Sequence, residues 1–108
     1  MKILVLCDQG NNRSVTLAHQ LKYLKDAAGQ THDVLTAGTK TNGYDTLIML
    51  QDWADKVIVV DQFQMQPGHY LEKTELWNLG ADVYPRPHNK ELLAKVKQVI
   101  ADHREELS

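Results

Sequence analysis

The residues of this sequence best suited to chemistry lie close together near its start. Cys7 is followed, after five intervening residues, by Arg13 and then Ser14, and this segment separates an apolar run from a helical pattern. A loop of this length can curl around a tetrahedral oxyanion and aim its backbone N–H groups inward. We therefore predict that the loop binds phosphate. The predicted phosphate-binding residues are Asp8, Gln9, Gly10, Asn11, Asn12 and Arg13.

Cys7, Arg13 and Ser14 have complementary chemistry around such an anion. The planar guanidinium of Arg13 can hold two phosphate oxygens at once. A helix that begins near Ser14 adds its first N–H groups and the positive end of its dipole. The same field stabilises a thiolate at Cys7, and Ser14 is placed to donate a hydrogen bond to that thiolate. A thiolate beneath a bound phosphate can attack phosphorus in line, which predicts a phosphocysteine intermediate.

Alternating apolar runs and amphipathic segments predict the elements that position this loop. Strands are predicted at residues 3–6, 33–37, 56–61 and 81–84. Helices are predicted from 14 to 28, 44 to 54 and 70 to 79, and a last one after Asn89, a predicted N-cap. Strands that alternate with helices favour an α/β fold. We expect a three-layer arrangement in which helices flank a four-stranded parallel sheet.

The ends of the predicted strands indicate where the site lies. In parallel sheets, ligands bind beyond the carboxyl ends of the strands, at the point where strand order reverses. The loop after Cys7, the acid Asp61 and the segment 85–88 each follow a predicted strand. We expect these three segments to converge on one edge of the sheet.

Composition restricts the classes of function. The 108 residues are enough for a single domain, 1–108, and the net charge of −2 argues against a nucleic-acid partner. The first apolar run stops at Cys7, and no other run approaches the length needed to cross a membrane. A single cysteine excludes an intramolecular disulfide and favours a reducing compartment. We expect a cytoplasmic monomer without a membrane partner.

Three segments of the chain resemble the low-molecular-weight protein tyrosine phosphatases, most closely their short bacterial members. They are the loop 6–14, the Thr-Ala-Gly-Thr segment 36–39, and the segment 53–61 in which Ala-Asp precedes an apolar strand and an acid. The resemblance covers nearly the whole chain. It implies a flavodoxin-like fold, Cys7 as nucleophile, Arg13 as phosphate-binding residue and Ser14 as stabiliser of the thiolate. It also implies a phosphorylated protein or small phosphate ester as substrate, and neither a metal nor another cofactor.

The proton donor departs from the family pattern. The family places an Asp before Pro or Asp after its fourth strand, whereas here Arg86 precedes the proline. Asp82 is the nearest carboxylate and our narrow choice as general acid, although a surface role fits it equally well. His88 and Asp61 are alternatives. Arg86 could instead contact a multiply charged ligand, such as a nucleotide or an acidic phosphopeptide.

Two other functions stay open on the sequence alone. A phosphate-recognition module could keep the loop and lack efficient turnover, because its usual acid is replaced. A phosphocarrier similar to the sugar phosphotransferase IIB subunits also carries a cysteine after its first strand, but those proteins typically lack an arginine like Arg13. Arsenate reduction on this scaffold needs further cysteines, and Cys7 is the only one in the chain.

Overall fold

Four parallel strands form one sheet in the structure, a computed structural model that describes residues 1–7, 13–25, 28–38, 42–60, 73–80, 86 and 88–107. The strands are β1 (Lys2–Cys7), β2 (Asp33–Gly38), β3 (Lys56–Val59) and β4 (Thr74–Leu76). Their order across the sheet is β2-β1-β3-β4, and every pairing is parallel. The prediction of an α/β fold with a four-stranded parallel sheet is confirmed.

The central position of β1 explains its unbroken apolar sequence. Ile3, Val5 and Cys7 belong to the core on one face of the sheet, whereas Leu4 and Leu6 belong to the core on the other. A strand buried on both faces needs apolar side chains at successive positions rather than at alternate ones. β1 therefore anchors both cores and carries Cys7 at its carboxyl end.

Helices cover both faces of the sheet. They are α1 (Arg13–Lys22), α2 (Tyr44–Trp53) and α3 (Lys90–Asp102), and a 3₁₀ turn follows at Arg104–Leu107. Leu17 and Leu21 of α1 and Leu92 and Val96 of α3 pack in the core that contains Cys7. α2 covers the opposite face, where Leu47 packs in the second core. α1 and α3 are therefore the helices that border the cysteine.

The predicted N-cap of the last helix is confirmed. The side-chain oxygen of Asn89 accepts hydrogen bonds from the backbone N–H groups of Glu91, at 3.0 Å, and Leu92, at 3.4 Å. These bonds occupy two donors that the first turn of a helix leaves without an intrahelical acceptor. They fix the start of α3.

Strand order reverses at β1. The chain passes from β1 to β2 on one side, and β3 then pairs with β1 on the other side. Such a reversal leaves a crevice beyond the carboxyl ends of the two diverging strands. Cys7 is paired with Gly38 at that edge of the sheet. The nucleophile expected from the sequence thus lies where this topology favours ligand binding.

One predicted element and one predicted helix end were wrong. The helix predicted at 70–79 is not a helix at 74–76, because these residues form β4 and pair with β3 through Val57, Ile58 and Val59. The fourth strand predicted at 81–84 lies outside the described residues. α1 ends at Lys22 rather than at residue 28, since the chain turns back and Lys25 bridges to Thr31.

None of the described helices has the length and apolar character needed to cross a membrane.

Candidate active site at the carboxyl end of the sheet

The structure brings Cys7 and Ser14 into contact. Sγ of Cys7 lies 3.0 Å from Oγ of Ser14, and both side chains are buried. Cys7 ends β1 and Ser14 is in the first turn of α1, so the strand and the helix set this distance. A hydroxyl at 3.0 Å can donate a hydrogen bond to a thiolate, and the N-terminus of α1 adds the positive end of its dipole.

Arg13 precedes Ser14 in α1, and its environment is unusual for an arginine. Its side chain is 1% exposed, and Nη1 donates a 2.7 Å hydrogen bond to the backbone carbonyl of Gly80. Arginine is among the residues least often fully buried, because its charge must keep hydrogen-bond partners. The contact with Gly80 supplies one partner and ties the first turn of α1 to the segment that follows β4.

Gly80 needs to be glycine because of its backbone conformation. Its φ of 78° lies in the left-handed region, where a residue with a Cβ is strained. In addition, a Cβ built on Gly80 would lie 3.1 Å from Nζ of Lys95 in α3. The ammonium group of Lys95 therefore occupies the space beside the residue whose carbonyl accepts from Arg13.

Asn42 contacts the end of β2, next to Cys7. The backbone N–H of Gly38 donates to Oδ1 of Asn42 at 2.8 Å, and the N–H of Asn42 donates to the carbonyl of Gly38 at 3.0 Å. Because Gly38 is the β2 partner of Cys7, this reciprocal pair fixes the backbone beside the thiol. Gly38 belongs to the Thr-Ala-Gly-Thr segment singled out in the sequence, and Thr39 lies outside the described residues.

His88 contacts α1, away from the thiol. Its backbone N–H donates to Oγ1 of the buried Thr16 at 2.8 Å, and its φ is 59°, a conformation uncommon for a residue with a side chain. Its ring lies edge-to-face with that of His19, with 4.8 Å between centroids. His19 is six residues beyond Arg13, which is about 9 Å along a helix axis. The ring thus faces the middle of α1 and not its first turn.

Several predicted site residues lie outside the described residues. They are Asp8, Gln9, Gly10, Asn11 and Asn12 of the loop, and Asp82, the favoured general acid. The alternative acid Asp61 is among them as well. Arg86 is described and exposed. Of the predicted catalytic residues, Cys7 and Ser14 are in contact, and Arg13 precedes Ser14 in the first turn of α1.

Three residues around this site were not predicted from the sequence. They are Thr16, Gly80 and Lys95. Gly80 follows Leu79 as a chain breaker, and this was the only available signal that its backbone is special. Thr16 and Lys95 are ordinary helix residues in a sequence, and their roles depend on which distant segment packs against them.

Comparisons of this chain with protein families, curated proteins and solved structures found no match.

Proposed function

We propose that the chain is a cysteine-dependent phosphatase that hydrolyses phosphotyrosine or another phosphomonoester through a phosphocysteine intermediate. The observation that carries the proposal is the buried contact of Cys7 and Ser14 at 3.0 Å, together with the burial of Arg13, the residue that precedes Ser14 in α1. A buried cysteine with a merely structural role needs neither a hydroxyl partner nor an adjacent arginine. The sheet order β2-β1-β3-β4 fits the proposed flavodoxin-like, low-molecular-weight phosphatase type.

The proposed reaction has two displacement steps. In the first, the Cys7 thiolate attacks phosphorus, the S–P bond forms, and the bond from phosphorus to the leaving oxygen breaks. The leaving oxygen takes a proton from a general acid, for which we propose Asp82. In the second, a water molecule loses a proton to the same group and attacks phosphorus. The S–P bond breaks, which releases inorganic phosphate and restores the thiolate.

Arg13 and Ser14 have distinct roles in these steps. The guanidinium of Arg13 neutralises charge on the phosphoryl oxygens as they pass through the transition state. Ser14 donates its hydroxyl proton in a hydrogen bond to sulfur, which stabilises the thiolate before attack and again as a leaving group. Removal of a hydrogen bond of this charged kind costs about 1.5–3 kcal/mol.

A second candidate function is a phosphate-recognition module of the same fold with weak or no turnover. The observation in its favour is that Arg86 precedes the proline where the resembling family has its acid, and that Arg86 is exposed. An arginine cannot donate a proton to a leaving group at neutral pH, because it stays charged. Binding would then persist while hydrolysis depended on the quality of the leaving group.

Hydrolysis of p-nitrophenyl phosphate by the wild-type chain and by Cys7→Ser tests the proposal. Its leaving group needs little help from an acid, so a nucleophile alone should turn it over. We expect activity in the wild-type chain and none in Cys7→Ser. The absence of cysteine-dependent hydrolysis would contradict the phosphatase function and favour the phosphate-recognition module.

The leaving group then separates the two candidate functions. Phenyl phosphate has a poorer leaving group and depends on a general acid, which contributes about 10²–10⁴-fold. Efficient turnover of phenyl phosphate that is lost in Asp82→Asn would support a working acid at this position. A rate of Asp82→Asn on phenyl phosphate equal to that of the wild-type chain would remove Asp82 from the mechanism.

We further propose that the protein acts as a monomer in the cytoplasm on a phosphorylated protein or a small phosphate ester. A nucleophilic thiol needs a reducing compartment, since an oxidised cysteine cannot attack phosphorus. The near-neutral charge and the scattered basic residues give no support to a nucleic-acid partner.

A further inference from the structure

Two cationic side chains converge on Gly80. Its carbonyl accepts the 2.7 Å hydrogen bond from Arg13, and Nζ of Lys95 lies 3.1 Å from the position that a Cβ on Gly80 would take. Because one residue joins both contacts, the two charged groups lie within about 10 Å of each other, by the dimensions of a single residue. Charges at this separation still act on one another at ordinary ionic strength, and burial of one of them reduces the screening.

The two cations differ in exposure, which suggests that they bind different groups of a ligand. Arg13 is buried at the first turn of α1 and precedes Ser14, which contacts Cys7. Lys95 is exposed on α3, whose buried side chains are Leu92, Val96 and Val99. In the described part of the chain no carboxylate forms an ion pair with Lys95. An anion that approached both groups would relieve the repulsion between them.

We propose that Lys95 is a specificity-determining residue that binds a second anionic group of the substrate, while Arg13 binds its phosphate. This inference rests on the proposed function and narrows it to phosphomonoesters that carry a further negative charge near the phosphate. An acidic phosphotyrosyl peptide and a small phosphate ester with a carboxylate share this chemistry. The role of Lys95 is to strengthen binding, and it takes no part in the transfer of the phosphoryl group.

Binding measurements in a Cys7→Ser background test the inference without turnover. Two matched ligand pairs differ by one charge: a phosphotyrosyl peptide with Glu or Gln before the phosphotyrosine, and N-acetyl phosphotyrosine or its amide. Each is titrated by calorimetry at low salt into Cys7→Ser alone and combined with Lys95→Gln or with Lys97→Gln. Lys97 is an exposed lysine of the same helix, so its variant matches the change in net charge.

We expect Lys95→Gln to weaken binding of the charged ligand about two- to five-fold, the range of an exposed ion pair, and to leave its neutral counterpart unchanged. The difference should shrink as salt is raised, because exposed charges are screened. Lys97→Gln should alter neither ligand. If Lys95→Gln weakens binding of the charged ligand only in the peptide pair, the second anion belongs to a protein substrate. If it weakens binding in both pairs, a protein and a small phosphate ester can each supply the second anion.

An equal effect of Lys95→Gln on charged and neutral ligands, or no effect on either, would overturn the inference. So would a failure of every ligand to bind. These outcomes are separate from the fate of the proposed function, which depends on cysteine-dependent hydrolysis of p-nitrophenyl phosphate by the chain with Cys7 intact. Hydrolysis without discrimination by Lys95 would support the phosphatase function and refute a second anion site at Lys95.

Discussion

Replacement of Gly80 by alanine tests whether the contact with Arg13 matters for the candidate site. The left-handed φ of 78° strains an alanine, and its Cβ would displace Nζ of Lys95 from 3.1 Å. The end of a lysine side chain can move at little cost, so backbone strain is the main effect. The strain is relieved when φ rotates, but this rotation moves the carbonyl that accepts from Arg13. Stability and activity are therefore coupled at this residue.

The size of each effect can be worked from the backbone. An alanine in the left-handed region costs about 1–2 kcal/mol, and the lower chain entropy of the unfolded state offsets about 0.4–1 kcal/mol of it. The net loss in the free energy of unfolding is about 1 kcal/mol, or about 4–8 °C in Tm for a domain of this size. Loss of transition-state binding cannot exceed the strain that is relieved, so kcat/KM should fall by no more than about five- to thirty-fold.

Gly29→Ala is the matched control. Gly29 has a φ of 81°, and a Cβ at this position would meet no atom within 4 Å. The strain is therefore the same as at Gly80, but Gly29 lies outside the candidate site, in the turn between α1 and β2. We expect an equal fall in Tm and an unchanged kcat/KM. The assay is hydrolysis of p-nitrophenyl phosphate, which lacks a second anionic group and so does not report on Lys95.

Two results would refute this reasoning. If Gly80→Ala and Gly29→Ala lost stability equally and both kept full activity, the carbonyl of Gly80 would have no part in positioning Arg13. If Gly80→Ala kept the wild-type Tm, the left-handed conformation at residue 80 would not be required by the fold. Thermal unfolding and initial rates on the same protein samples distinguish these outcomes.

Three more predictions concern other contacts of the structure. Ser14→Ala removes the hydroxyl that lies 3.0 Å from Cys7, so kcat for p-nitrophenyl phosphate should fall about ten- to hundred-fold, and an unchanged kcat would rule out Ser14 as stabiliser of the thiolate. Asn89→Ala removes the cap of α3 and should lower the free energy of unfolding in urea by about 1 kcal/mol; Gln98→Ala, on the exposed side of the same helix, should change it by less than about 0.5 kcal/mol. Trp77→Ala should cost about 3–5 kcal/mol because Trp77 is fully buried. Trp53 is only partly buried, and an equal cost of Trp53→Ala would contradict that assignment of the core.

The parts of the fold that the sequence predicts well are those fixed by their own pattern. β1, β2 and β3 begin within one residue of their predicted starts. For β1 and β3 the reason is that buried parallel strands require consecutive apolar residues. β4 has only three residues, Thr74–Leu76. The spacing of three between Leu76 and Leu79 is also typical of a helix, so the sequence pattern favoured the wrong element. Its strand conformation comes from pairing with β3, and such pairing overrides weak local preferences.

The end of α1 was mispredicted for a related reason. Leu24 and residue 28 continue the helical spacing of Leu17 and Leu21, so the pattern gives no signal to stop at Lys22. The N–H of Leu24 instead donates to the carbonyl of Leu21, and the chain returns through the Lys25–Thr31 bridge. The chain must reach the start of β2, and this requirement is not visible in local periodicity.

The candidate site likewise contains one contact that is local in sequence and others that join distant segments. Cys7 and Ser14 are seven residues apart, so a short motif predicts their contact. Arg13 and Gly80 are separated by 67 residues, and the N–H of His88 reaches Thr16 across 72. A backbone carbonyl and a buried threonine carry no sequence pattern, and so neither contact was predictable. Gly80 and His88 both contact the start of α1. These later segments therefore help to fix the helix end on which the proposed phosphate site is built.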